Sequence, residues 1–473
     1  MSISPHVPLQ VTRVEHSGLS LTAESTIAKC LRGVLAARTV TEVVNGAVAA
    51  GNELKELGAF EHVQLTLDRG DAPGEAKLVI AVKEKRAVGV KLTTFVEAGG
   101  SEGGLEAQAE LRNVLGLAET ATVSYVTGGS TSDAGDVLAA TARPLADAVV
   151  GSGSVASGAA RAAASRSRRS QIRAEAAVPR FLGLRATLRA SADTSAVAPP
   201  PDEPYEHVSY GVRLGLSNSV GGVEWAARER DLHPARSAAD PLAYACPPEI
   251  LEEARPSLKS ALALHYSQDW TDPDSAVPES GGSAHGRVEW AHPSWTGGDV
   301  GLVSGSLSAR QVFPLSARHG VSLAVSGELA AVSSLLDDGH VPLVDRLFLG
   351  GPFSLWGFQP RGAGPRSADG RSALGGELRW HARVALEGPP PPNQLGVRVR
   401  THVFLAVGAL SPRASADALV GSFRDARVSC GAGVAVPLGG VRVEVNAVAV
   451  LRKGRADAPM KGRLQLGVGT ELS

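Results

Sequence analysis

Few side chains in this sequence are spaced for chemistry. The 12 histidines include no His-x-x-x-His or equivalent ligand pair, and the three cysteines, Cys30, Cys246 and Cys430, are too far apart for a zinc pair or a disulfide framework. Serine, histidine and acidic residues are too common to single out a nucleophilic triad. The run Gly99-Gly100-Ser101-Glu102-Gly103-Gly104 lacks the lysine and following helix of a phosphate-binding loop and reads as a hairpin turn. Arg161, Arg166, Arg168, Arg169 and Arg173 could attract acidic targeting segments or lipid head groups, although a solvated loop between strands explains them more simply. With 47 basic and 48 acidic residues the net charge is −1, which offers no global case for nucleic-acid binding. These residues point to neither an enzyme nor a cofactor.

The most informative stretch is instead Val344 to Pro365, with five glycines and three prolines in 22 residues. Such a composition excludes a helix or a central strand and predicts an ordered loop held by the apolar anchors among its residues. The elements around it fall into two regions. Residues 1–85 predict an α+β unit of order β-α-α-β-β. An alternating segment runs from Leu9 to Glu15. One helix opens at Thr22 and a second at Thr41, and Gly58 is a stop. Strands over His62 to Asp68 and Ala76 to Glu84 complete the unit.

Residues 86–473 read as all-β. In Val441-Arg442-Val443-Glu444-Val445-Asn446-Ala447 the odd positions are apolar and the even ones polar, the pattern of a strand with one face on lipid and the other on a wet lumen. Val321, Leu323 and Val325 alternate with Ser322, Ser326 and Glu328 in the same way, as do Val403 and Leu405 with Arg400 and His402. A soluble sandwich would alternate too, so periodicity leaves both open. With strands of about 9 to 11 residues plus turns, 388 residues supply roughly 16 strands. Val-Glu-Trp-Ala occurs twice, ending at Ala226 and Ala291, as if two strands each placed a tryptophan at a membrane interface. No stretch of 18 apolar residues suggests a membrane helix, and Met1 to Pro8 lacks the basic start and apolar core of a secretory signal. Aromatic residues, at 4%, are few for a barrel with full interfacial girdles.

The loop resembles the signature loop of the outer-membrane protein assembly superfamily, in which it folds back into the barrel and carries Arg-Gly-Phe; here the tripeptide is Trp356-Gly357-Phe358. Residues 1–85, with the junction Lys55 to Val63, resemble one polypeptide-transport-associated (POTRA) domain. Further blocks are similar to the barrel subunit of the mitochondrial sorting and assembly machinery, in order along nearly the whole chain. They include Leu111 to Glu119, Pro256 to Ser260, Thr296 to Val300, Leu374 to Glu377, Arg400 to Leu405 and Leu464 to Leu472. The resemblance implies a transmembrane 16-stranded antiparallel β-barrel over 86–473, in the mitochondrial outer membrane, with the POTRA domain in the intermembrane space. It implies folding and insertion of β-barrel precursor proteins, with accessory sorting-and-assembly subunits and membrane lipid as partners.

The expected site follows from the same resemblance. Gly350, Gly351, Pro352, Phe353, Trp356, Gly357, Phe358 and Arg361 form the loop, and Glu377 and Glu387 are candidate lumen carboxylates that Arg361 or Arg366 could serve. Family members commonly carry Asp or Asn where Ala406 stands, so both sides of a loop–wall ion pair would be changed here, leaving Trp356 to hold the loop by packing. A weakly paired seam leaves an edge that can template an incoming strand. That lateral gate would involve Leu92, Thr94 and Val96 on the first barrel strand and Leu464, Leu466, Gly467, Gly469 and Leu472 on the last. The competing expectations are a passive channel, a plastid or bacterial polypeptide-translocating barrel, and a soluble all-β lipid esterase or binding protein.

Overall fold

The computed structural model describes residues 7–96, 102–130, 169–197, 203–236, 243–271, 280–352, 354–389, 399–438 and 441–469. The N-terminal unit contains β1 (Gln10–Ser17), helices α1 (Glu24–Cys30), α2 (Arg32–Ala36) and α3 (Val40–Glu56), then β2 (Phe60–Arg69) and β3 (Glu75–Glu84). β3 is central, parallel to β1 and antiparallel to β2. The helices cover one face, and Val34, Val43, Leu54, Leu78 and Ile80 are fully enclosed in the shared core.

The expected first helix is two short ones, and its start is not capped as the sequence suggested. Thr22 lies outside α1, whose N-cap is Ala23 without a side-chain bond. Its amide and hydroxyl instead donate to Glu84 at the end of β3, at 2.7 and 2.6 Å. The second helix starts at Val40, because Thr39 and Glu42 form a reciprocal capping box. Gly58 does follow the helix end, at φ +73°.

The other sixteen strands form one antiparallel sheet in sequence order. They are β4 (Val88–Val96), β5 (Glu102–Arg112), β6 (Thr120–Ser130), β7 (Arg169–Val178), β8 (Thr187–Val197), β9 (Tyr205–Ser217), β10 (Gly221–Pro234) and β11 (Ser257–Asp269). There follow β12 (Gly281–Ala291), β13 (Leu302–Ser316), β14 (Val321–Ser334), β15 (Leu378–Gly388), β16 (Arg400–Ser411), β17 (Arg427–Leu438), β18 (Val441–Arg452) and β19 (Leu464–Gly469). Gly103 and Gly104, expected in a turn, pair as strand with Val96 and Phe95. Residues 131–168, with most of the basic run, lie outside the described residues. Two short helices decorate the connections, α4 (Pro248–Leu251) and α5 (Ala416–Ser422). Among the described residues no helix is long and apolar enough to cross a membrane.

The alternation runs opposite to that of a soluble sandwich. On β18, Glu444 and Asn446 are the buried side chains, whereas Val445 is 38% exposed. On β16, His402 is enclosed while Val403 and Leu405 point outward at 53% and 49% exposure. A polar inner face and an apolar outer face suit a sheet wrapped around a lumen and bathed in lipid. Trp225 on β10 and Trp290 on β12 both pair with Leu262 of β11, which places them in one register across three strands of the outer face.

The two units meet through the turns after β5 and β7. Asn113 donates from Nδ2 to the Thr22 hydroxyl at 2.6 Å, and Ala118 joins the N-terminal core. Thr26 donates to the Gly116 carbonyl, and Arg180 pairs with Glu53 on α3.

Candidate functional site

The connection from β14 to β15 folds inward against the sheet and is fixed at both ends and between them. At its start Asp345 accepts from Arg230 of β10 and Lys259 of β11, both at 2.7 Å. Arg346 then donates to Glu253, after α4, at 2.7 Å and to the carbonyls of Val341 and Leu374. At its return the Leu347 and Gly376 backbones bond reciprocally, and Arg379 of β15 donates to the Phe348 carbonyl at 2.9 Å.

Between these ends the apolar residues go into the wall. Leu355, Trp356 and Phe358 are enclosed in one cluster with Ala385, Phe404, Ala406 and Leu410 from β15 and β16. The Trp356 and Phe404 rings lie 6.3 Å apart at 51°. Ala406 and Trp356, the two departures from the family pattern, therefore share one buried cluster. Gly357 adopts φ +90°, and a Cβ there would sit 2.8 Å from Val450 and 3.0 Å from Val448, so only glycine lets the backbone lie this close to β18. Gly350, at φ +114°, is likewise pressed against the Gln359 carbonyl.

The polar backbone of the loop goes elsewhere, to the segment leading into β19. Gly357 N donates to Gln465 Oε1 at 2.7 Å, and Gln465 Nε2 donates to the Phe358 carbonyl at 3.1 Å. Met460 N donates to the Gly357 carbonyl, Gln359 N to that of Ala458, and Ala458 N to that of Gly362. Gly364 N donates to Asp457 at 3.0 Å. Asp457 is itself gripped through both oxygens by Arg427, at 2.9 Å each. Burial alone would raise the Asp457 carboxyl, but Arg427 and the amides of Gly454 and Gly364 outweigh it and hold the group below its usual range.

Beneath Trp356 lies a cavity of about 200 Å³ lined by Arg310, Arg383, Glu387 and Glu444 among others. Arg383 faces both oxygens of Glu444 at 3.4 Å and stacks 4.7 Å from the Phe404 ring centre. His402 bonds Asn446 at 2.6 Å, and Asn446 donates to Glu444 at 3.0 Å. The wall thus supplies its own cation for its buried carboxylate, next to the apolar seat of the loop. Among the described residues no group of His, Cys, Asp or Glu is placed to hold a metal ion.

The structure brings some of the expected residues together and separates others. Gly350, Gly351 and Pro352 line the fold of the loop, and Phe353 lies outside the described residues. Arg361 serves neither expected carboxylate, because the loop turns it onto β9, where it donates to the Tyr205 hydroxyl at 2.9 Å and lies 4.1 Å over the Phe348 ring. Arg366 is spent locally on the carbonyls of Gly370 and Arg371. Glu377 accepts from the Ala414 amide at 3.1 Å and so holds the turn after β16. Glu387 is a buried carboxylate of the inner face, with Arg310 at 3.9 Å.

At the edges, Leu92 of β4 and Leu464 of β19 are exposed at 62% and 65%. Among the described residues Thr94 and Val96 pair with β5, and Leu466, Gly467 and Gly469 with β18; Leu472 lies outside the described residues. Among the described residues no ladder joins β4 to β19, and β19 holds β18 through six residue pairs where β17 and β18 share eleven. Gln465, Arg383 and Asp457 are the site residues that sequence reasoning passed over. A signal existed for Gln465, the lone polar residue between Leu464 and Leu466, facing inward by alternation.

A sixteen-stranded sheet with an inward-folded loop and one N-terminal α+β unit defines a class of outer-membrane barrel, and the chain belongs to the Omp85 superfamily, whose domain model matches residues 151–472. More particularly, it is 24% identical to the SAM50-like protein of Schizosaccharomyces pombe, over 98% of this chain and 91% of that one. It is 26% identical to the sorting and assembly machinery component 50 homolog of Bos taurus, over 97% of this chain and 89% of its relative. Among solved structures, BamA from Haemophilus ducreyi lacking POTRA domains 1–3 superposes with a TM-score of 0.70 at 16% identity, covering 98% of this chain and 84% of that one.

Proposed function

We propose that this protein folds and inserts β-barrel precursor proteins into the mitochondrial outer membrane by offering precursor strands the edge between β4 and β19. The observation that carries this reading is that, among the described residues, no ladder joins the two sheet ends, β4 and β19. Backbone N–H and C=O groups at such an edge have no substitute partner in lipid, so an incoming precursor strand is the natural way to satisfy them. Membership of the superfamily and the likeness to component 50 relatives support the reading. The N-terminal unit is then a POTRA domain over 1–85 facing the intermembrane space, and accessory sorting-and-assembly subunits are partners of the complex. A passive channel is less well supported, because the inward loop packs an apolar cluster against the inner faces of β15 and β16.

The test is a reducible tether. In a background with Cys30, Cys246 and Cys430 replaced by serine, Leu92→Cys and Leu466→Cys are joined by a bis-methanethiosulfonate reagent, which forms a reducible disulfide to each thiol. Precursor insertion into isolated outer membranes should stop when the strands are tethered and return on reduction. Insertion at the untethered rate through a tethered seam would overturn strand templating.

A further inference from the structure

The loop is fastened to the segment leading into the last strand, and to that strand itself through one side chain. Six hydrogen bonds run between Gly357 to Gly364 and the segment Asp457 to Gln465. Two of them come from one side chain: the Gln465 carboxamide accepts from Gly357 N and donates to the carbonyl of Phe358, so it pairs with the loop as a neighbouring strand would. Gln465 is 4% exposed, and its two bonds are shielded from water. Its own residue pairs with Asn446 on β18. A buried amide that loses such partners finds no solvent to replace them, so the bonds are made or broken as a set.

β19 therefore carries two attachments with different geometry. Its ladder to β18 lies in the sheet, and its bonds to the loop point inward. The loop in turn is seated by apolar contacts on β15 and β16, which do not pair with β19, and on Val448 and Val450 of β18, which does. We propose that Gln465 is a positioning residue that makes the loop a latch on the last strand: while the loop is seated, β19 is held in place on β18, and when the loop lifts the strand becomes free to move. This inference rests on the seam reading above. It adds that the strand at the unpaired edge is held in place from the lumen side, by a residue on that strand itself.

Two variants reach the latch from opposite ends. Gln465→Leu keeps the size of the side chain and removes both bonds. Gly357→Ala leaves Gln465 intact and lifts the loop from Val448 and Val450. Hydrogen exchange on the full chain in lipid nanodiscs, without precursor, should show faster exchange in both the loop peptide and the β19 peptide, by about tenfold or more for the loss of one to two shielded hydrogen bonds. The β14–β15 amides should keep their protection, which shows that the barrel is folded. Crosslinking from Gly469→Cys to a radiolabelled porin precursor should then become faster than in the parent, a gain that mere damage to the fold would not produce. If either variant frees the loop while β19 keeps its parental protection, the latch is wrong. Coupled loosening without any precursor crosslink would keep the latch and overturn the seam reading instead.

Discussion

Trp356 and Arg383 divide a task that one charged loop residue could have performed. Trp356 contributes enclosed apolar area and Arg383 meets Glu444 from the wall, so the loop carries no charge into the lumen at this point. Placing a guanidinium at position 356 would bury a second cation beside Arg383, at a cost of several kcal/mol. Trp356→Arg should therefore shorten the half-life of the loop toward protease in the purified protein. Unchanged or greater protection would reject packing as the means of attachment. Trp356→Ala should cost about 3 to 5 kcal/mol, as large aromatic truncations in a core do, with unfolding in denaturant as the check. The pairing of Trp356 with Ala406 could be anticipated from the sequence, since both departures concern one contact. The destinations of Arg361 and Arg366 could not, because they depend on how the loop turns against β9 and on itself.

At the scale of elements, Glu84 ties the N-terminal unit to the sheet. Its carboxylate accepts from the Ser20, Leu21 and Thr22 amides and the Ser20 and Thr22 hydroxyls, and Thr22 in turn accepts from Asn113 beyond β5. Partial burial would raise the carboxyl, but these bonds bring it down to about 2 from an ordinary 4.5. A depressed carboxyl stabilises the folded state above its unfolded value and loses that effect as pH falls through the folded one. Proteolysis of the Ser20–Ala23 segment should thus accelerate between pH 4.5 and pH 2, and Glu84→Gln should flatten that dependence. A parallel profile in the variant would contradict the assignment. The same residues show why Thr22 looked like a helix cap: type and position suited a cap, while its partner lies 62 residues away. The Thr39–Glu42 box has the spacing of a cap, but the apolar repeat from Val43 drew the expected start to Thr41 instead. Strand alternation was legible, because one face is inside and the other outside whatever the neighbours are. Its sense needed the structure, which shows the polar face to be the buried one.

For the whole molecule, a loop packed against the inner face and, among the described residues, two sheet ends without a joining ladder point away from steady conduction and toward exchange at an edge. Deleting the loop tip from Gly350 to Gly364 should raise single-channel conductance in planar bilayers while lowering precursor insertion. High conductance in the intact protein would favour a channel. The most direct measurement is site-specific disulfide crosslinking from cysteines at Thr94 and Gly469, on β4 and β19, to the last strand of a radiolabelled mitochondrial porin precursor. Arg442 on β18 serves as the control. Strand templating predicts crosslinks that appear with time at Thr94 and Gly469 and not at Arg442. Efficient insertion with no crosslink at either edge would contradict it.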